Sequence, residues 1–141
     1  MKFELDDVFN KYLHMTYREK VEVAREMIGD MAPFLMKLDL GEEDRINFYI
    51  SLVRLFAGAD QKLSLEECKL FNDIFSIDLT LKEFSTLMVG NDEEFVTSMD
   101  KIIDMMDDEV KVAACSFGLV FLSVDRNINE SERKVFERIL A

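Results

Sequence analysis

The chain has 141 residues, and 17 lysines and arginines against 29 aspartates and glutamates give it a formal net charge of −12. Its apolar fraction of 49% is enough for the packed core of one domain and argues against wholesale disorder. The acidic excess argues against nucleic acid or anionic lipid as the main partner, because such sites need clusters of Lys and Arg.

Apolar residues recur at helical spacing almost throughout, and alternating strand patterns do not occur. Capping residues, acidic first turns and breakers then place the helix ends. In chain order we expect a first helix over about Phe3–Leu13 and a second opened by the capping box Thr16–Glu19. Gly29 and Pro33 interrupt the second helix, so a short separate helix is expected over about Pro33–Leu38. The remaining predicted helices are a third over about Glu42–Ala59, a fourth opened by Ser64–Glu67, a fifth from Thr80 to Gly90, a sixth from Asn91, a seventh from Asp107 and an eighth capped by Asn129.

The chain repeats itself after 65 residues, so that Ile46–Ser76 aligns with Lys111–Ala141. Seven of these 31 positions are identical, and in both copies an apolar helix is followed by Asp, an aliphatic residue three later and a Glu seven later. The sequence therefore predicts an all-α fold: one domain over 1–141, a compact bundle of seven to eight helices built on an internal helical-hairpin repeat, with the two apolar helices at its centre.

Each copy brackets the bend of its hairpin with two carboxylates, Asp60 and Glu67 in the first and Asp125 and Glu132 in the second. Such pairs can converge on a hard divalent cation such as calcium or magnesium, which takes oxygen ligands. Local structure is the alternative reading. Each Glu also stands three residues after an N-cap residue, where it can close a capping box.

The spacing from Asp to Glu is also that of the second half of an EF-hand loop. The first half does not fit, since the first loop position would be Phe56 or Phe121 and the glycine position holds Gln61 or Arg126. An EF-hand of the usual kind is therefore excluded.

The duplicated unit resembles the tellurite-resistance TerB family and the N-terminal helical module of DjlA-type co-chaperones. Their hallmark is a buried helix running into Ala-Asp-Gly, then an aliphatic residue, a Glu and a further helix. Here Ala59-Asp60-Gln61 with Leu63 and Glu67, and Val124-Asp125-Arg126 with Ile128 and Glu132, carry the similarity, which spans about residues 16–141. The resemblance implies a cytoplasmic protein of stress- or tellurite-resistance-type systems that acts through metal sensing and protein contacts.

Catalysis finds little support in the sequence. The one histidine, His14, stands near the end of the first helix, where a surface role is commoner than a catalytic one. Cys68 and Cys115 lie far apart in apolar surroundings and read as reduced core thiols. We thus expect no enzyme, no nucleic acid and no direct membrane insertion, since the longest uncharged stretch, Val112–Val124, is shorter than the ~20 residues of a membrane span.

Two functions follow as hypotheses. One is a non-enzymatic TerB-like module that binds a divalent cation through its Asp/Glu pairs. The other is a protein-interaction scaffold in which the same carboxylates only cap helices and shape turns. Protein partners are expected in both, and the methionines leave a homodimer open.

Overall fold

A computed structural model describes residues 4–57, 63–88, 92–124 and 128–140, which form eight helices and no strand. The predicted all-α bundle is confirmed. The helices are α1 (Leu5–Leu13), α2 (Tyr17–Lys37), α3 (Glu42–Ala57), α4 (Leu65–Phe75), α5 (Leu81–Leu87), α6 (Glu93–Asp104), α7 (Asp108–Ser123) and α8 (Glu130–Leu140).

The starts predicted for the second, fourth, fifth, seventh and eighth helices are confirmed, and side-chain caps fix them. The sixth helix, expected from Asn91, begins at Glu93. Thr16, Ser64 and Thr80 are N-caps of reciprocal capping boxes, and the carboxylates of Asp92 and Asp107 accept the N3 amides of α6 and α7. Such caps satisfy amides that have no partner within the helix.

The predicted break in the second helix is wrong, because α2 runs unbroken from Tyr17 to Lys37 with Pro33 inside it. Pro33 cannot donate to the carbonyl of Gly29, four residues earlier. Both residues are exposed, so water can solvate that carbonyl. The buried face, which includes Ala24, Met31 and Leu35, holds the helix together across the proline.

α7 is the central helix, in contact with α1, α2, α3, α4 and α8. Every residue from Ala113 to Ser123 is buried. Gly118 lets α3 approach closely: a Cβ there would stand 2.6 Å from Cδ2 of Phe56. The Phe56 ring in turn stacks on Phe136 of α8, with ring centroids 4.4 Å apart.

α3 is less central than α7, because Glu43 and Asp44 in its first turn are exposed and Ile46 is 44% exposed. Burial begins at Phe48, and α3 then packs against α6, α7 and α8. The Arg54 guanidinium lies 3.8 Å from the centroid of the Phe95 ring, so a charged residue on this helix is accommodated against an aromatic face.

The predicted carboxylate pairs fall at the connections between α3 and α4 and between α7 and α8. α4 and α8 begin 65 residues apart, and they bury matching positions: 67 and 132, 70 and 135, 71 and 136, and 74 and 139. This is the pattern that the duplicated hairpin predicts, and the duplication itself stays a prediction. No helix in the described ranges is both long and apolar enough to cross a membrane.

Candidate functional site

The four carboxylates predicted to form the site divide into two groups. Asp60 and Asp125 lie outside the described residues, so the predicted pairing with Glu67 and Glu132 stays a prediction. The two glutamates are described, and both are buried, with 1% and 6% of their surface exposed.

Glu67 occupies the third position of α4 and forms a reciprocal cap with Ser64. Its Oε1 accepts the Ser64 backbone N–H at 3.1 Å and the Ser64 hydroxyl at 3.3 Å. The Glu67 backbone N–H donates back to Ser64 Oγ at 3.1 Å. One carboxylate oxygen therefore holds the end of the bend to the start of α4.

Glu132 repeats this arrangement at the start of α8, with Asn129 in place of the serine. Its Oε1 accepts the Asn129 backbone N–H at 2.9 Å, and its own N–H donates to Asn129 Oδ1 at 2.9 Å. The asparagine side chain thus supplies the same acceptor as a serine hydroxyl.

Glu19 and Glu83 form the same reciprocal caps at the starts of α2 and α5, but on the exposed surface. The backbone N–H of Thr16 or Thr80 holds the pKa of each carboxyl below its usual value, because the hydrogen bond favours the charged form. The described part of the chain therefore contains two exposed and two buried versions of one local motif.

A metal site is not assembled from the described side chains alone. Among residues 4–57, 63–88, 92–124 and 128–140, no group of three or more His, Cys, Asp or Glu residues could hold an ion. Because Asp60 and Asp125 stand outside those ranges, this leaves the ion hypothesis untested.

Sequence reasoning missed Lys20, which is buried with 7% of its surface exposed. Its Nζ donates to the carbonyl of Ser123 at 3.2 Å, so an ammonium group lies at the negative end of the central helix. The signal was present in the sequence, because Lys20 stands four residues before Ala24 on the apolar face of α2. A lysine on an apolar helix face predicts that a carbonyl or carboxylate lies beside its ammonium group.

The other candidates for chemistry lie in ordinary surroundings. His14 is exposed at the end of α1, where its Nδ1 lies 2.8 Å from the Asn10 carbonyl oxygen. Cys68 and Cys115 are buried and free, as predicted. Burial raises the pKa of the Cys115 thiol to about 12 and raises that of Cys68, so both thiols stay protonated and unreactive near neutral pH.

Comparison of the chain with protein-family models, with curated proteins and with solved structures gave no match. The TerB-like assignment therefore stays a prediction from the two sequence motifs.

Proposed function

We propose that this protein is a non-enzymatic, TerB-like helical module that works by binding another protein, and that Glu67 and Glu132 shape its two bends. The observation that supports the role of the two glutamates is the geometry of the buried caps: the Oε1 of each glutamate accepts the N-cap N–H of its own helix. A carboxylate held in this way fixes the path of the chain into the next helix.

Reconstitution with a purified partner tests the proposal. Proteins retained by the full chain from its native source would be purified separately, and each complex would be measured by sedimentation, first in EDTA and then with calcium. We expect a complex, with a second protein or with a second copy of this chain, whose Kd is the same in both buffers. Failure to reconstitute any complex, or a complex that forms only with an ion, would contradict the proposal.

The conservative variant Glu67→Gln with Glu132→Gln sharpens this test. Glutamine still accepts the N-cap amide but carries no charge. If the glutamates act as caps, partner binding should stay within about twofold of the wild-type value, since the cap hydrogen bond survives. Glu19→Gln with Glu83→Gln, at the exposed caps, is the matched control.

Binding of a divalent cation is the second candidate, and the contrast in burial favours it. The buried Glu67 and Glu132 each stand seven residues after an aspartate, Asp60 and Asp125, whereas no aspartate stands seven residues before the exposed Glu19 or Glu83. Buried carboxylates beside a second acid are the usual way to hold a hard cation.

Thermal unfolding in calcium, magnesium or EDTA separates the two candidates. An ion that binds only the folded chain adds about 2.7 kcal/mol of stability at one hundred times its Kd, which appears as a higher Tm. For an ion site we expect that rise to vanish in Asp60→Asn with Asp125→Asn and to persist in Glu19→Gln with Glu83→Gln. If the carboxylates only cap helices, none of these proteins should respond to the ions.

The same resemblance leads us to propose a cytoplasmic protein of a stress- or tellurite-resistance-type system. The free, buried state of both cysteines supports the compartment, because thiols persist where the surroundings are reducing.

A further inference from the structure

A groove of about 870 Å³ lies between the last turns of α2 and the first turns of α7, and we call it the α2–α7 groove. Its apolar lining consists of Pro33, Phe34, Leu38, Met105, Val110 and Val112. Met105, at the end of α6, is 57% exposed at its edge. An exposed methionine beside a partly covered apolar floor is typical of surfaces that adapt to a bound chain.

The charged side chains of the groove are mostly acidic. Four carboxylates line it, those of Asp30, Asp107, Asp108 and Glu109, against one lysine, Lys37.

Local structure explains three of these carboxylates and not the fourth. The Asp107 carboxylate caps α7 by accepting the Val110 N–H at 2.9 Å, and Asp108 and Glu109 lie in the first turn, where the helix dipole favours negative charge. Asp30 stands on the opposite wall, within α2. Each wall therefore carries at least one carboxylate, but the excess negative charge lies on the α7 wall, because Lys37 balances Asp30 on the α2 wall.

The start of α6 shows what an acidic helix start looks like without such a floor. Asp92, Glu93 and Glu94 are as acidic as the start of α7, but the shallow depression beside them is completed by Thr97, Ser98 and Lys101. An acidic helix start therefore occurs here without an apolar groove, so the α2–α7 groove is more than a consequence of the acidic first turn of α7.

We propose that the α2–α7 groove binds a basic amphipathic helix of the partner protein, and this inference rests on the proposed function. The α2 wall from Gly29 to Leu38 extends about 14 Å, which is two to three turns of a bound helix. The apolar face of that helix would cover the floor, and its lysines and arginines would meet the carboxylates of both walls. A net charge of −12 would speed the encounter with such a partner.

A synthetic helix tests the groove directly. The probe is a fluorescent peptide of about 18 residues with leucine at helical spacing and lysine elsewhere, long enough to fold on the surface. Two control peptides are used: one has the same composition with the leucines scattered, and one has glutamate in place of lysine. We expect only the first peptide to bind the full chain, as measured by anisotropy at about 0.15 M salt.

Variants of the protein then locate the binding site. Asp30→Asn with Glu109→Gln should weaken binding about tenfold, and Met105→Lys should do the same by placing a cation at the groove edge. Glu93→Gln with Glu94→Gln removes equal charge at the start of α6 and should change the Kd less than about twofold. These positions are exposed, and circular dichroism would confirm that each variant folds.

Equal binding of the scattered peptide, or equal weakening by the α6 variant, would overturn the groove as the site. A reconstituted partner that binds Asp30→Asn with Glu109→Gln protein as tightly as wild type would also overturn it, while leaving the proposed function in place. Absence of any reconstituted complex would instead overturn the proposed function.

Discussion

The surface caps of α2 and α5 and the buried caps of α4 and α8 have nearly the same geometry in very different surroundings. In all four, the N-cap N–H lies 2.9–3.1 Å from a glutamate Oε1. Glu19 and Glu83 face water, whereas Glu67 and Glu132 are buried. Residue spacing alone sets the hydrogen bonds, but the tertiary packing around each cap decides whether the carboxylate keeps its contact with solvent. Removing a buried carboxylate, or binding an ion to it, should therefore change the stability of the fold more than the same change at the surface.

The largest loss of stability is expected where α3 crosses α7, the two helices that precede the buried caps. In Gly118→Ala the new Cβ would stand 2.6 Å from the Phe56 ring, which is fully buried and stacked on Phe136 and so cannot yield. We expect a loss of about 3 kcal/mol in the free energy of unfolding, measured with urea. Hydrogen exchange should also speed up at the amides of Ser64 and Asn129.

Gly29→Ala is the matched control for that variant. No heavy atom lies within 4 Å of a Cβ at this exposed position of α2, so alanine should stabilise the helix by about 0.5–1 kcal/mol. Equal destabilisation by the two substitutions would show that the close approach at Gly118 does not hold the buried caps in place.

Truncating the capping glutamates tests the comparison itself. Glu67→Ala and Glu132→Ala each remove a buried hydrogen-bond acceptor and leave a void, so we expect each to cost about 2–3 kcal/mol in chemical denaturation. Glu19→Ala and Glu83→Ala should each cost clearly less, because water can satisfy the N-cap amide at the surface. Equal losses at all four positions would mean that burial adds nothing to the role of the cap.

Much of the fold could be predicted from the sequence, because local chemistry determines it. Capping residues such as Thr16, Ser64 and Asp107 mark helix starts through hydrogen bonds to neighbouring amides, and those starts are confirmed. The break expected near Pro33 was wrong because the cost of a proline inside a helix depends on whether the proline and the carbonyl that loses its partner are exposed to water. That exposure is a tertiary property. The fifth helix ends at Leu87, before the expected stop at Gly90, which lies outside the described residues.

The candidate site was only partly predictable, for the same reason. Spacing identified Glu67 and Glu132 as helix caps, but their burial is a tertiary property that spacing does not encode. The contact of Lys20 with Ser123 joins residues 103 positions apart, and no local pattern names that partner. The groove between α2 and α7 likewise exists only once α2 continues past Pro33.

The smallest expected effect is in the pH dependence of the surface caps. Because backbone hydrogen bonds lower the folded-state pKa of Glu19 and Glu83 from 4.5, each contributes stability that is present above pH 4.5 and lost as the pH falls through the folded-state pKa. Glutamine still accepts the N-cap amide but does not titrate in this range. Between about pH 6 and 3, the Tm of Glu19→Gln with Glu83→Gln should therefore fall less steeply than that of the wild type, as measured by calorimetry. Parallel curves would show that these two carboxylates add no acid-dependent stability.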